Sequence, residues 1–202
     1  MKKMKILGMA FLIMLTSIAA ITPSVGDDSK TVRVAVNLPL TGPVAAWSGE
    51  FPNGFRLGIE ETSAELGVDP KVFDMDFQDN AGKPAQSATV AQKQLISGFD
   101  VYVTGSSESA KAAVDQIDPL GVPNFIVAFD PFMAARNQTR LRIMANSKIE
   151  APLFISYAKQ RKAKSVYIIH VNSAYAVGEF REMVQPALEK DGIEITREEF
   201  AF

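Results

Sequence analysis

The apolar residues of this chain change period again and again, and that alternation constrains the fold more than any other feature. In residues 31–38, Val32, Val34, Val36 and Leu38 fall at every second position, the spacing of a strand with one buried face. In residues 53–66 the step becomes three and four, through Phe55, Ile59, Thr62 and Leu66. That is a helix face, and Gly67 supplies its stop. The pattern returns to strand in residues 72–77 (VFDMDF) and to helix after Pro84, with Ala88, Ala91, Leu95 and Ile96 facing inward. Residues 100–104 (DVYVT) form a third strand, followed by a helix over 107–120 that buries Ala110, Ala113, Val114 and Ile117. Residues 124–129 (NFIVAF) are an almost continuous apolar run, as expected of a strand covered on both faces. Strands and helices joined by short connections predict right-handed crossovers. The expected fold is α/β: a parallel sheet flanked by helices on both faces, of the Rossmann or flavodoxin-like kind.

The alternation restarts after a polar break at residues 145–149. A short strand-like stretch lies at 140–144, a helix at 149–161, a strand at 165–171 (SVYIIHV), a helix at 177–189 and a last strand at 193–200. Residues 31–145 are therefore expected to form one whole α/β lobe and residues 146–202 the first, incomplete part of a second. Ahead of both, Lys2, Lys3 and Lys5 precede an apolar run over 6–21 that ends near Pro23 and Gly26. A basic start, an apolar run of this length and small residues after it predict a signal peptide over 1–26 and a periplasmic destination. An uncleaved anchor is the alternative. The chain has no cysteine, which excludes a disulfide scaffold, a thiolate metal site, a cysteine nucleophile and a lipidated cysteine. Its single histidine, His170, excludes a multi-histidine metal centre, and 21 basic against 23 acidic residues give no electrostatic footprint for nucleic acid.

In an open parallel sheet, ligands bind beyond the carboxyl ends of the strands. Three such ends carry candidate residues. The loop after the first strand, residues 39–47, is punctuated by Gly42 and Pro43 and ends on the one tryptophan, Trp47. The third strand is followed by Gly105, Ser106 and Ser107, with Glu108 just inside the next helix; the fourth is followed by Ala128, Phe129 and Asp130. Backbone N–H groups and hydroxyls at a helix start suit a carboxylate or phosphate, a large ring beside them covers an apolar body, and Asp130 can pair with a cation. Each also has a plain structural reading: the serines as helix caps, Trp47 as surface packing, Asp130 as turn chemistry before Pro131. No phosphate-loop, dinucleotide, nucleophile-elbow or zinc-protease motif occurs. His170 has no acid–base partner in the pattern. Asp74 and Asp76 read as one polar strand face. The basic run Lys159, Arg161, Lys162 and Lys164 includes a helix C-terminus, where positive charge is favoured. No catalysis, cofactor or metal is expected.

The segments VRVAVNLPLTGPVAAWSGEFPNGFRLGIEE and DFQDNAGKPAQSATVAQKQLISGFDVYVTGSSES resemble the first lobe of the substrate-binding proteins of ABC importers. The group is the branched-chain amino-acid and amide receptors with the type I periplasmic-binding-protein fold. VNSAYAVGEFREMVQPALEKDG is similar to the start of their second lobe, where Tyr175 and Gly178 form a Tyr-x-x-Gly pattern. The resemblance implies a solute held between two closing lobes and a membrane permease as partner; the charge balance leaves no nucleic-acid partner expected. It places ligand contacts on Trp47, Ser106, Ser107, Ala128, Asp130 and Tyr175. An aspartate at position 130 would repel a carboxylate, which leaves amino acids, amides, ureas and aromatic compounds open as ligands. The family's usual length is nearly twice that of this chain, so a C-terminally truncated binder is expected. A ligand-binding input domain of an extracytoplasmic sensor and an exported flavodoxin-like enzyme are the alternatives.

Overall fold

The computed structural model describes residues 31–201, apart from 131–132 and 135–136; the expected leader at 1–26 lies outside them. The elements run β1 (Val32–Leu38), α1 (Ala45–Ser48), α2 (Phe51–Leu66), β2 (Phe73–Asp79), α3 (Pro84–Ser97), β3 (Val101–Gly105), α4 (Ser107–Ile117), β4 (Asn124–Val127) and β5 (Arg140–Arg142). These are followed by α5 (Ser147–Gln160), β6 (Ser165–Val171), α6 (Ala174–Ala176), a π-helical stretch (Val177–Val184), α7 (Gln185–Lys190) and β7 (Glu194–Phe200). The first five strands form one sheet in the order β2-β1-β3-β4-β5, every pairing parallel. The last two form a separate parallel pair.

Alternation along the strands sorts the core into layers. Val34, Val36, Leu38, Val103 and Val127 face one side, where Phe51 and Phe55 of α2 pack on them. Ala35 and Tyr102 face the other, against Ala91 of α3 and Ala113 and Ile117 of α4. In the two-stranded layer, Ile168 meets Ala151 and Ala158 of α5, Val184 of the π-helical stretch and Leu188 of α7.

The inward faces of two helices differ from those the hydropathy pattern predicts. On α3 the buried residues are Ser87, Val90, Ala91 and Gln94, while Ile96 is 89% exposed. The helix is turned by its polar groups: Ser87 Oγ donates to the Ser109 carbonyl at 2.8 Å, and Gln94 Nε2 donates to the Asp76 carbonyl at 3.2 Å. On α2, Phe55 and Ile59 are half-buried, but Thr62 and Leu66 are exposed and border an open apolar groove with Val68, Phe73 and Ile143. A helix ~10 Å wide over five strands spaced ~4.8 Å apart covers only part of a sheet face.

Candidate solute-binding cleft

The carboxyl end of the five-stranded sheet is built on a buried polar network. Asn37 Nδ2, near the end of β1, donates to the Ser87 carbonyl at 2.9 Å and to the Tyr102 hydroxyl at 2.8 Å. Asn80 Nδ2 donates to Asn37 Oδ1 at 2.9 Å, and Asn80 Oδ1 accepts the Gly82 N–H. Burial pushes the Tyr102 phenol far above its ordinary value, so it stays a neutral donor and acceptor. The network holds the turn Ala81-Gly82-Lys83 beside the strand ends. Asp79 holds the loop opposite, accepting from the Leu40 and Thr41 N–H groups and the Thr41 hydroxyl. Burial alone would raise the Asp79 pKa, but these bonds together with that from the Ala81 N–H lower it below the usual value.

Between these walls lies a cavity of about 550 Å³. Its lining includes Trp47, Ser106, Ser107, Ala128 and Tyr175 of the residues singled out in the sequence, together with Phe129. Ser106 caps α4, its Oγ accepting the Ser109 N–H at 3.4 Å, with backbone angles φ 58 and ψ 142 that glycine tolerates and serine seldom adopts. Gly105 before it packs so closely on Leu38 that a Cβ would stand 2.4 Å from that side chain. Trp47 stands edge-on to Phe51 at 5.3 Å, and the Phe129 and Tyr175 rings are 5.1 Å apart.

Asp130 stands elsewhere. It borders a neighbouring recess with Arg140 and Gly178, and its backbone N–H donates to Ser107 Oγ at 3.3 Å. The Arg142 guanidinium interacts with its carboxylate and donates to its carbonyl. Further cavity residues, Lys83, Asn172 and Ser173 among them, were not singled out in the sequence. Lys83 precedes a proline at a helix start, a position that a charge pattern does not distinguish. Glu108 joins the two layers, its Oε1 accepting the Ala174 N–H at the start of α6. His170 is buried, stacked on Phe180 at 6.0 Å, with Nδ1 2.9 Å from the Val171 carbonyl oxygen.

A parallel α/β sheet with a strand-end cavity, aromatic walls and helix-start donors is the kind of place where open α/β sheets hold small molecules. Residues 31–201 match the family model described as periplasmic binding protein, and the chain belongs to that family. It is 27% identical over 80% of its length to Leu/Ile/Val-binding protein homolog 3 of Brucella melitensis, of which it covers 45%. It is 28% identical over 90% of its length to the leucine-specific-binding protein of Salmonella typhimurium, of which it covers 50%. The chain thus spans about half the length of these curated relatives. Among solved structures, an ABC-transporter solute-binding protein of Rhodopseudomonas palustris in complex with 3,4-dihydroxybenzoic acid superposes with a TM-score of 0.71 at 18% identity. The match covers 85% of this chain and 47% of that one. A leucine-binding protein of Thermotoga maritima gives 0.70 at 18% identity, covering 84% and 49%. Both likenesses are of fold.

Proposed function

We propose that the chain binds a small carboxylate-bearing solute with an apolar or aromatic body, as the solute-binding component of an ABC importer. The observation that carries this reading is the cavity itself. Ser106 and Ser107 open α4 at one end, with Lys83 on the lining, and Trp47, Phe129 and Tyr175 form an apolar wall. A carboxylate placed at the α4 start would meet N–H and hydroxyl donors and the positive end of the helix dipole. The repulsion expected from Asp130 does not apply to this cavity, because that carboxylate lies in another recess beside Arg142. The names of the relatives support amino acids, and those of the structural neighbours aromatic acids. The chain is read as a binder that catalyses nothing, exported by residues 1–26 to the periplasm and handing its solute to a membrane permease. No helix among the described residues is long and apolar enough to cross a membrane.

Trp47 is the one tryptophan, so its emission reports directly on the cavity. Titration with L-leucine, 4-hydroxybenzoate and 3,4-dihydroxybenzoate should shift that emission for at least one of them. Trp47→Ala should weaken the interaction, followed by calorimetry, by about 1–3 kcal/mol. Unchanged emission and no heat with all three carboxylates would sink the reading.

A further inference from the structure

Beneath the cavity wall lies an acidic side chain that stands outside the cavity lining. Glu179 is completely buried. It sits in the π-helical stretch Val177–Val184, whose wider turn is visible in the burial pattern: the next buried side chain after Glu179 is Val184, five residues on. Neither Glu179 carboxylate oxygen makes a hydrogen bond of ordinary geometry. Its electrostatic neighbours are the Tyr175 hydroxyl and the Glu150 carboxylate of α5. The Tyr175 hydroxyl in turn faces both acids and lies 3.4 Å from Glu150 Oε2. The ring of the same tyrosine packs on Phe129 and lines the cavity.

Counting donors decides what this cluster requires. A phenol donates one proton, and two ionised carboxylates present only acceptors. With both acids charged, one buried carboxylate is left unsatisfied and repels the other. A second proton on the fully buried acid removes both costs. We propose that Glu179 is a positioning residue for the cavity: as the neutral acid it supplies the second proton of a Glu150–Tyr175–Glu179 chain and so fixes the Tyr175 ring in the wall. The inference rests on reading the cavity as the solute site. Burial raises the Glu179 pKa, the Tyr175 hydrogen bond lowers it, and the Glu150 charge raises it again, leaving it above the ordinary value. Other titratable groups lie close by. His170 of β6 stacks on the adjacent Phe180, Glu199 of β7 stands 3.7 Å behind that imidazole, and Lys111 of α4 and Asp130 border the recess at Gly178.

A raised carboxyl pKa means that the ordered state prevails while Glu179 is protonated and is lost as pH rises through its folded value. The test replaces the tyrosines with 3-fluorotyrosine, assigns the Tyr175 resonance with Tyr175→Phe, and follows it by fluorine NMR from acid to neutral pH. The wild-type resonance should move with pH and that of Glu179→Gln should not, since the amide cannot ionise. In parallel, 4-hydroxybenzoate and L-leucine are titrated against both proteins and Glu179→Leu. For whichever probe binds, affinity of the wild type should fall about five- to tenfold on raising pH, the worth of one hydrogen bond. Glu179→Gln should hold its affinity across the range, and Glu179→Leu should be weak throughout. A Tyr175 resonance that titrates in Glu179→Gln as in the wild type overturns the proposal and assigns the proton to His170 or Glu150. Wild-type affinity in Glu179→Leu overturns it as well. A resonance that behaves as expected while neither probe binds leaves Glu179 as the group that orients Tyr175 and removes the solute reading alone.

Discussion

Ser106 bears the conformational cost of the cavity. At φ 58 and ψ 142 it occupies a region almost reserved for glycine, which costs about 1–3 kcal/mol, and its hydroxyl caps α4 by accepting the Ser109 N–H. Ser106→Gly should therefore raise the unfolding free energy by about 1 kcal/mol after the entropy that glycine adds to the unfolded chain. The same change should weaken solute binding through loss of the hydroxyl. Urea unfolding and Trp47 titration read the two effects separately, and a destabilised Ser106→Gly would contradict the strain. Asp79 makes the complementary prediction. Its folded pKa is depressed, so its contribution to stability is present above the unfolded value of ~3.9 and is lost as pH falls through the lower folded value. Thermal midpoints of the wild type should fall more steeply than those of Asp79→Asn below about pH 4. Parallel curves would show that the Thr41 and Ala81 contacts do not couple to its charge.

At the scale of elements, the short strand β5 is held by its first residue. Arg140 is buried, and its Nε donates to Asp118 Oδ1 at 2.9 Å while Nη1 donates to the Met133 carbonyl at 3.0 Å. Arg140→Ala strands the half-shielded Asp118 carboxylate and should cost about 3 kcal/mol in urea unfolding. A loss within the ~0.5 kcal/mol of ordinary surface changes would show that backbone pairing alone holds the strand. The elements also mark what was legible in the sequence. Strands such as β1 and β6 and the inward face of α4 follow directly from spacing, because carbon burial dominates there. The face of α3 was not legible, since Ser87 turns inward to the Ser109 carbonyl of α4 and Gln94 to the Asp76 carbonyl of β2, partners that only the folded molecule brings together. Nor was the π-helical stretch, because Val177, Phe180 and Val184 fit an ordinary helix spacing as well.

At the scale of the whole molecule, one flank of the large sheet is partly bare among the described residues. Leu66 is 71% exposed beside a groove of about 730 Å³ that also meets Phe51, Phe55 and Val127. Native protein should therefore enhance the fluorescence of an anilinonaphthalene dye, and Leu66→Lys should reduce it while changing stability by no more than ~0.5 kcal/mol. Equal dye binding by both proteins would place the exposed apolar surface elsewhere. The sequence by itself determined the order of strands and helices, the parallel α/β class and the strand ends at which a ligand would sit. Each of these depends on the period of apolar residues or on chain connectivity, which are local properties. Only the tertiary structure decided which of those strand-end residues share a cavity, sending Asp130 to another recess and bringing in Lys83, Asn172 and Ser173. It also set Glu179 against Tyr175 and Glu150. Tyr175 and Glu179 share a helix face four residues apart, but the cavity lining and the approach of Glu150 depend on segments far apart in the chain, which no spacing within one segment encodes.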